Sequence, residues 1–292
     1  MSRISRAKFE LTKMGMVLAW AMIVGSGRSG WAEEPNAPGV TLPRIGYVDS
    51  PFLPNSRWRV HDLYRPRPSI VHVAPSPAPA SPPSDAVVLF DGKDLSQWMK
   101  RVDDPQSLQP AGWEVKDGAI VVVGGSGDIQ SIATFADCQL HVEWSAPTPP
   151  EGGSQGRGNS GVYLMGHYEI QILDSHENTS YADGQAGAVY GQYPPLVNVT
   201  RPPGEWNSFD IVFEAPRFSG ARLERPAYVT VFQNGVLVQY HREIMGVAAH
   251  KHTTEYKPHA PAGPVLLQDH GNPTRFRNIW VRPLNLAQSA DQ

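Results

Sequence analysis

Cys138 is the one cysteine in the chain. No intrachain disulfide can form, so a packed core must hold the fold. Charge of one sign is scarce too. The chain has 25 Lys and Arg against 28 Asp and Glu, a net charge of -3, and no basic stripe, which argues against an obligate nucleic-acid binder. No apolar run approaches the roughly 20 residues of a membrane-spanning helix, so no membrane span is expected in the mature protein. Long stretches of helical periodicity are also missing, which excludes helix bundles and repeated strand-helix units.

The chain opens with Arg3, Arg6, Lys8 and Lys13, then the apolar run Met14 to Val24, then Gly30-Trp31-Ala32 before Glu33. This is the layout of a secretory signal peptide over residues 1–32, and it predicts a secreted or periplasmic protein. Residues 33–84 form a proline-rich arm and linker whose end, Pro75 to Pro83, reads as an extended spacer. Between Arg44 and Pro68 lie Tyr47, Phe52, Trp58, Val60, His61 and Tyr64. They suit an arm that packs on the domain or the cell envelope, and equally a disordered leader with stray aromatics. The folded domain is assigned to residues 85–284 and a tail to 285–292.

Short strands recur through that domain, from Val87–Phe90 to Phe276–Val281. Leu140, Val142 and Trp144 alternate with His141 and Glu143, and Phe209, Ile211 and Phe213 with Asp210 and Glu214, the mark of strands with one buried face. Asp117-Gly118 and Asn234-Gly235 fit type I′ hairpin turns. No blade-length repeat is visible, so the expected fold is all-β, a sandwich of two antiparallel sheets. Cys138, just before a strand, reads as a small buried hydrophobe.

The informative stretch is Gly158 to Ser175, read as a strand, a tight Gly166-His167 turn and a second strand. Side chains alternate across a strand, so Glu169 and Gln171 project from one face, opposite Tyr168, Ile170 and Ile172. A β-bulge near Leu173 would bring Asp174 onto the same face, making a row of three polar groups. The Glu169-x-Gln171-x-x-Asp174 pattern resembles the E-x-D-x-x-E strand of laminarinase-like glycoside hydrolases, with the central acid replaced by an amide. Retaining hydrolysis needs two carboxyl groups roughly 5–5.5 Å apart, which the shorter Asp174 does not easily supply. A second polar strand follows: Leu266, Gln268 and His270 share a face, which puts an imidazole able to move protons at neutral pH beside an amide.

Five segments together carry a wider resemblance: Leu89 to Trp98, Asn159 to Ser175, Gly204-Glu205-Trp206-Asn207, Asn234-Gly235, and Gln268-Asp269-His270-Gly271 to Arg277-Asn278-Ile279-Trp280. Over about Asp85 to Leu284 the chain resembles the 3-keto-disaccharide hydrolase domain family, and Gly46 to Asp62 resembles its planctomycete members. The resemblance implies a concanavalin A-like jelly roll. It also implies action on glycosides oxidised to a ketone at sugar C3, through 3-keto-glucoside 1,2-lyase and 3-keto-2-hydroxyglucal hydratase chemistry. Such a site needs a base, an acid and donors for an enolate. Glu169 and His270 are the catalytic candidates, with either as base. Arg157, Asn159, Gln171, Asp174, Gln268 and Arg277 are the substrate-binding candidates. No cofactor is assigned; a divalent metal ion on Glu169 or His270 stays open. The expected partner is a glycoside or oligosaccharide. Two other readings stand beside this one: a laminarinase-like glycosidase and a non-catalytic lectin-like module. The His250, His252 and His259 loop reads as solvated rather than metal-binding.

Overall fold

Strict alternation of buried and half-buried residues along Asn207–Glu214 shows how the sandwich is built: every second side chain enters a shared core. The computed structural model describes residues 44–286 except 76–78, 80, 103–106 and 108; the signal peptide expected over 1–32 lies outside the described residues. One sheet runs, edge to edge, Val236–Glu243, Tyr228–Gln233, Asn207–Glu214, Cys138–Ser145, Arg275–Pro283, Ala119–Val121 and Glu114–Lys116, with Val87–Phe90 also paired to Arg275–Pro283. The other runs Trp98–Lys100, Ile129–Phe135, Gly263–Leu267, Ser160–Leu164 and Tyr168–Ile172. All neighbours within these two sheets are antiparallel. The protein is an all-β jelly-roll sandwich.

Leu140, Val142, Trp144, Phe209, Ile211, Phe213 and Phe276 face Ile129, Val162, Leu164, Ile170, Ile172, Val265 and Leu267 across a single core. Each large side chain so buried is worth about 1.5–3 kcal/mol against exposure, which a chain without disulfides requires. Cys138 belongs to this core, and burial pushes its thiol up to about 12, so it stays a neutral packing group.

Asp117-Gly118 and Asn234-Gly235 both take positive φ, as type I′ turns demand. The turn inside the central hairpin is shifted by one residue from the expected Gly166-His167. Met165 and Gly166 take the positive φ values, and His167 N–H donates to Leu164 O at 3.0 Å. Trp98–Lys100 and Ile129–Phe135 have no counterpart in the sequence reading. In Ile129–Phe135 the alternation is inverted midway: Ser131 is buried, bonded to Val265 N–H and Ala133 O, while Ile132 is exposed. Polar residues inside and apolar outside hide a strand from a pattern search.

The arm packs on the domain. His61 is fully buried, and Asp183 accepts from its backbone N–H at 2.9 Å and pairs with its Nδ1 at 3.0 Å. Arg65 donates to Gln192 O, and Val71 N–H to Asn198 O beside a short parallel pairing of Ser69–Ile70 with Val197–Asn198.

Candidate active site

The outer face of the five-stranded sheet forms the floor of a cavity of about 380 Å³, and cross-strand register places its groups. Tyr163 sits directly opposite Glu169, and Gly161 opposite Gln171. Tyr163 also neighbours Leu266 on the other side, two residues before Gln268. Glu169, Gln171, Tyr163, Gln268 and His270 therefore meet in one hollow, joined by Gln155, Asn159, Tyr181, Tyr190, Ala248, Ala249 and His250.

Glu169 is 4% exposed. Burial pushes its carboxyl up to about 8, against a bond from the Tyr163 hydroxyl that favours the ionised form, while the Asp128 charge pushes further up. At neutral pH it carries a proton. Space for it depends on Gly161, where a Cβ would stand 2.6 Å from Glu169 Oε1. Gln171 donates both amide hydrogens, to Gln155 Oε1 at 3.0 Å and Asn159 Oδ1 at 3.2 Å, while its buried Oε1 has no partner. A buried acceptor left unpaired is costly unless a ligand donates to it. Gln268 donates to the Tyr163 hydroxyl at 3.0 Å. His270 is exposed at the rim, lifted there by Asp269, whose carboxylate caps Gly127 and Gly271 N–H.

Three of the predicted binding residues lie elsewhere. The strand ends at Ile172, and no bulge turns Asp174 inward. Its Oδ2 pairs with Arg157 Nε at 2.7 Å, and both face a separate hollow of about 180 Å³ lined by Pro147, Thr148, Pro149 and Pro150. The row of three polar groups is therefore a row of two. Arg277 is on the far sheet, directly opposite Glu143 in register. Its Nε donates to Glu143 Oε2 at 2.6 Å and its guanidinium lies over Trp206, 4.1 Å from the ring centre. Both its charge and its flat face are taken. Asn159, Gln171, Gln268, Glu169 and His270 do converge.

Sequence reasoning did not single out Gln155, Tyr181 or Tyr190. They come from irregular segments, where no periodicity marks an inward side chain. His250, expected in a solvated loop, is exposed and has the Tyr47 and Tyr190 hydroxyls on its two ring nitrogens, while His259 sits 2.7 Å from the Tyr168 hydroxyl. Among the described residues, no three His, Cys, Asp or Glu side chains gather closely enough to hold a metal ion, nor is any helix long and apolar enough to cross a membrane.

Against known proteins, the 3-keto-alpha-glucoside-1,2-lyase-like domain matches residues 85–282. A Bacteroides thetaiotaomicron protein named 3-keto-disaccharide hydrolase is 23% identical over 244 residues, covering 68% of this chain and 78% of its own. The crystal structure of a candidate glycosyl hydrolase from Parabacteroides distasonis is 46% identical with a TM-score of 0.64, covering 69% of this chain and 84% of that one.

Proposed function

Because the chain belongs to the 3-keto-alpha-glucoside-1,2-lyase-like domain family, we propose that it cleaves glycosides already oxidised to a ketone at sugar C3, by elimination across C1–C2 followed by rehydration. Its family and its relatives make it a carbohydrate-active enzyme of the 3-keto-disaccharide hydrolase type.

The observation that carries the reading is Glu169, the one carboxyl group lining the cavity among the described residues, held there in a buried setting that favours its protonated form. A C3 ketone acidifies the C2 hydrogen. His270, whose ring stands free at the rim, takes that proton. The C–H electron pair passes first into the C2–C3 enolate, with its charge on the C3 oxygen, and then becomes the C1–C2 double bond as the C1–O bond breaks with its pair on oxygen, which takes the Glu169 proton. Water then adds its oxygen to C1 and its proton to the Glu169 carboxylate, and the imidazolium returns a proton to C2. The sum is hydrolysis without a glycosyl-enzyme. Gln171 Oε1 accepts from a ring hydroxyl, with Asn159 and Gln268 holding others.

A two-carboxylate glycosidase fits less well, because Asp174 is bound to Arg157 outside the cavity. A lectin-like module gives no reason to bury a carboxyl against its own charge. The decisive experiment gives the purified protein a 3-keto-disaccharide and its unoxidised parent in D2O. Cleavage of the keto substrate alone, with deuterium at C2, is expected; cleavage of the parent alone eliminates the reading. The leader supports work outside the cytoplasm, to be checked by fractionating cells that express the full chain.

A further inference from the structure

The elimination leaves one charge unattended, the enolate oxygen that grows at C3, and a chain of hydrogen bonds ends beside the cavity where such a charge would form. The Tyr47 hydroxyl lies 3.3 Å from His250 Nε2, His250 Nδ1 lies 3.1 Å from the Tyr190 hydroxyl, and that hydroxyl lies 3.0 Å from the Tyr181 hydroxyl. Tyr181 and Tyr190 both line the cavity. The far end of the chain is anchored in the arm. Tyr47 N–H donates to His61 O, and the His61 ring, fixed by Asp183, stacks on Tyr181 with ring centres 4.0 Å apart.

A neutral imidazole has one donor and one acceptor, so the chain has a direction. If Tyr47 donates to Nε2, the ring proton sits on Nδ1 and points at the Tyr190 oxygen. Tyr190 then receives from His250 and from Tyr181, and its own hydrogen is free for the cavity. Each bond polarises the next, which strengthens the last donor. Burial raises the Tyr190 and Tyr181 phenols far above their usual range, so both remain donors at any pH the protein meets. Burial and the neighbouring cations and imidazoles, His61, Lys251, His252 and His270, push His250 down and favour the neutral ring.

We propose that Tyr190 is a catalytic residue that donates to the C3 oxygen as it becomes an enolate, and that Tyr47, supplied by the arm outside the family-matching segment, is a positioning residue that aims it through His250. The proposal rests on the elimination reading and is tested so that the two can fail separately. Losing one donor to a developing oxyanion costs about 10²–10³-fold in kcat. Tyr190→Phe in the full chain is therefore expected to lower kcat on a 3-keto-disaccharide about 100-fold with KM within about threefold. Tyr47→Phe, which removes only a hydroxyl, is expected to lower kcat about 10-fold alone and to add nothing in the Tyr190→Phe background, since it acts through the same residue. Wild-type kcat in Tyr190→Phe, or independent losses multiplying in the double variant, would overturn the proposal while leaving the elimination intact. A readout free of substrate is the tautomer of His250 by 15N NMR. Protonation at Nδ1 in the wild type, lost in Tyr47→Phe, supports the directed chain; protonation at Nε2 overturns it. A wild type that cleaves no 3-keto-glycoside sinks the elimination reading, and the tautomer still decides the chain.

Discussion

The two outer faces of the sandwich carry the same kinds of residue to opposite ends. On the eight-stranded sheet, His141 and Glu143 alternate with core residues, as Glu169 and Gln171 do on the five-stranded sheet. The first pair is consumed by its neighbours. His141 Nδ1 lies 2.7 Å from Asp210, and Glu143 accepts from Arg277 and from Asn278 Nδ2. Burial alone would push His141 down, but Asp210 and Glu143 hold it at about 9; burial would likewise raise Glu143, but His141, Asn278 and Arg277 hold it below its usual range. Each group is locked in its charged form. On the other face Glu169 has no cation beside it among the described residues, is held toward its neutral form by burial, and lines the cavity. Strands make either surface; cross-strand partners decide which becomes a site.

Glu169→Gln is the largest test of that contrast. It should lower kcat about 10³-fold with the fold intact, whereas Glu143→Gln should leave kcat unchanged. Near-wild-type turnover after Glu169→Gln would remove the acid from the mechanism. Gly161→Ala comes next: a Cβ 2.6 Å from Glu169 Oε1 must displace the carboxyl, and such a shift costs about 10²-fold. An undisturbed kcat, or a crystal structure of the variant with Glu169 unmoved, would mean that the carboxyl has room to spare.

The pH dependence of stability separates the faces by sign. Glu169 has its folded pKa raised to about 8, above the ordinary carboxyl value. The unfolded chain therefore releases its proton first, and stability contributed by the neutral form falls as pH rises from about 4.5 toward 8. His141 is raised to about 9. Its contribution is complete below about 6.5 and is lost as pH rises through 9. Urea melts across pH 4 to 10 should lose the first slope in Glu169→Gln and the second in His141→Gln; if either slope survives its substitution, the assigned group is not its source. Turnover should decline above pH 8 as the acid ionises. Smaller still, Arg277→Ala should lower stability by about 2 kcal/mol, a melting shift of roughly 4–8 °C, by leaving Glu143 less paired. Its kcat should stay within about twofold; a larger loss would bring Arg277 back to the substrate.

Legibility followed the same division. The sandwich and both Asx-Gly hairpins could be read because alternation and turn chemistry are local. Glu169, Gln171, Gln268, Asn159 and His270 could be placed because each lies on or at the end of such a strand. Arg277 could not, since its fate depends on Glu143, far away in sequence and one hydrogen-bonded neighbour away in space. Asp174 depended on a bulge that the chain does not make. Tyr181, Tyr190 and His250 sit on irregular segments, where only tertiary packing decides which way a ring points.

The buried meeting of His61 with Asp183 bears on how the protein can be taken apart. Cutting before residue 85 would keep every strand of both large sheets yet strand Asp183 in the interior without its imidazole, a loss of about 3–5 kcal/mol by the usual cost of orphaning a buried ion. Arg65, 3.6 Å away, would leave with the same cut. The arm is thus a fastening, and a fragment cut to begin at the first core strand is expected to be less stable than one that keeps it.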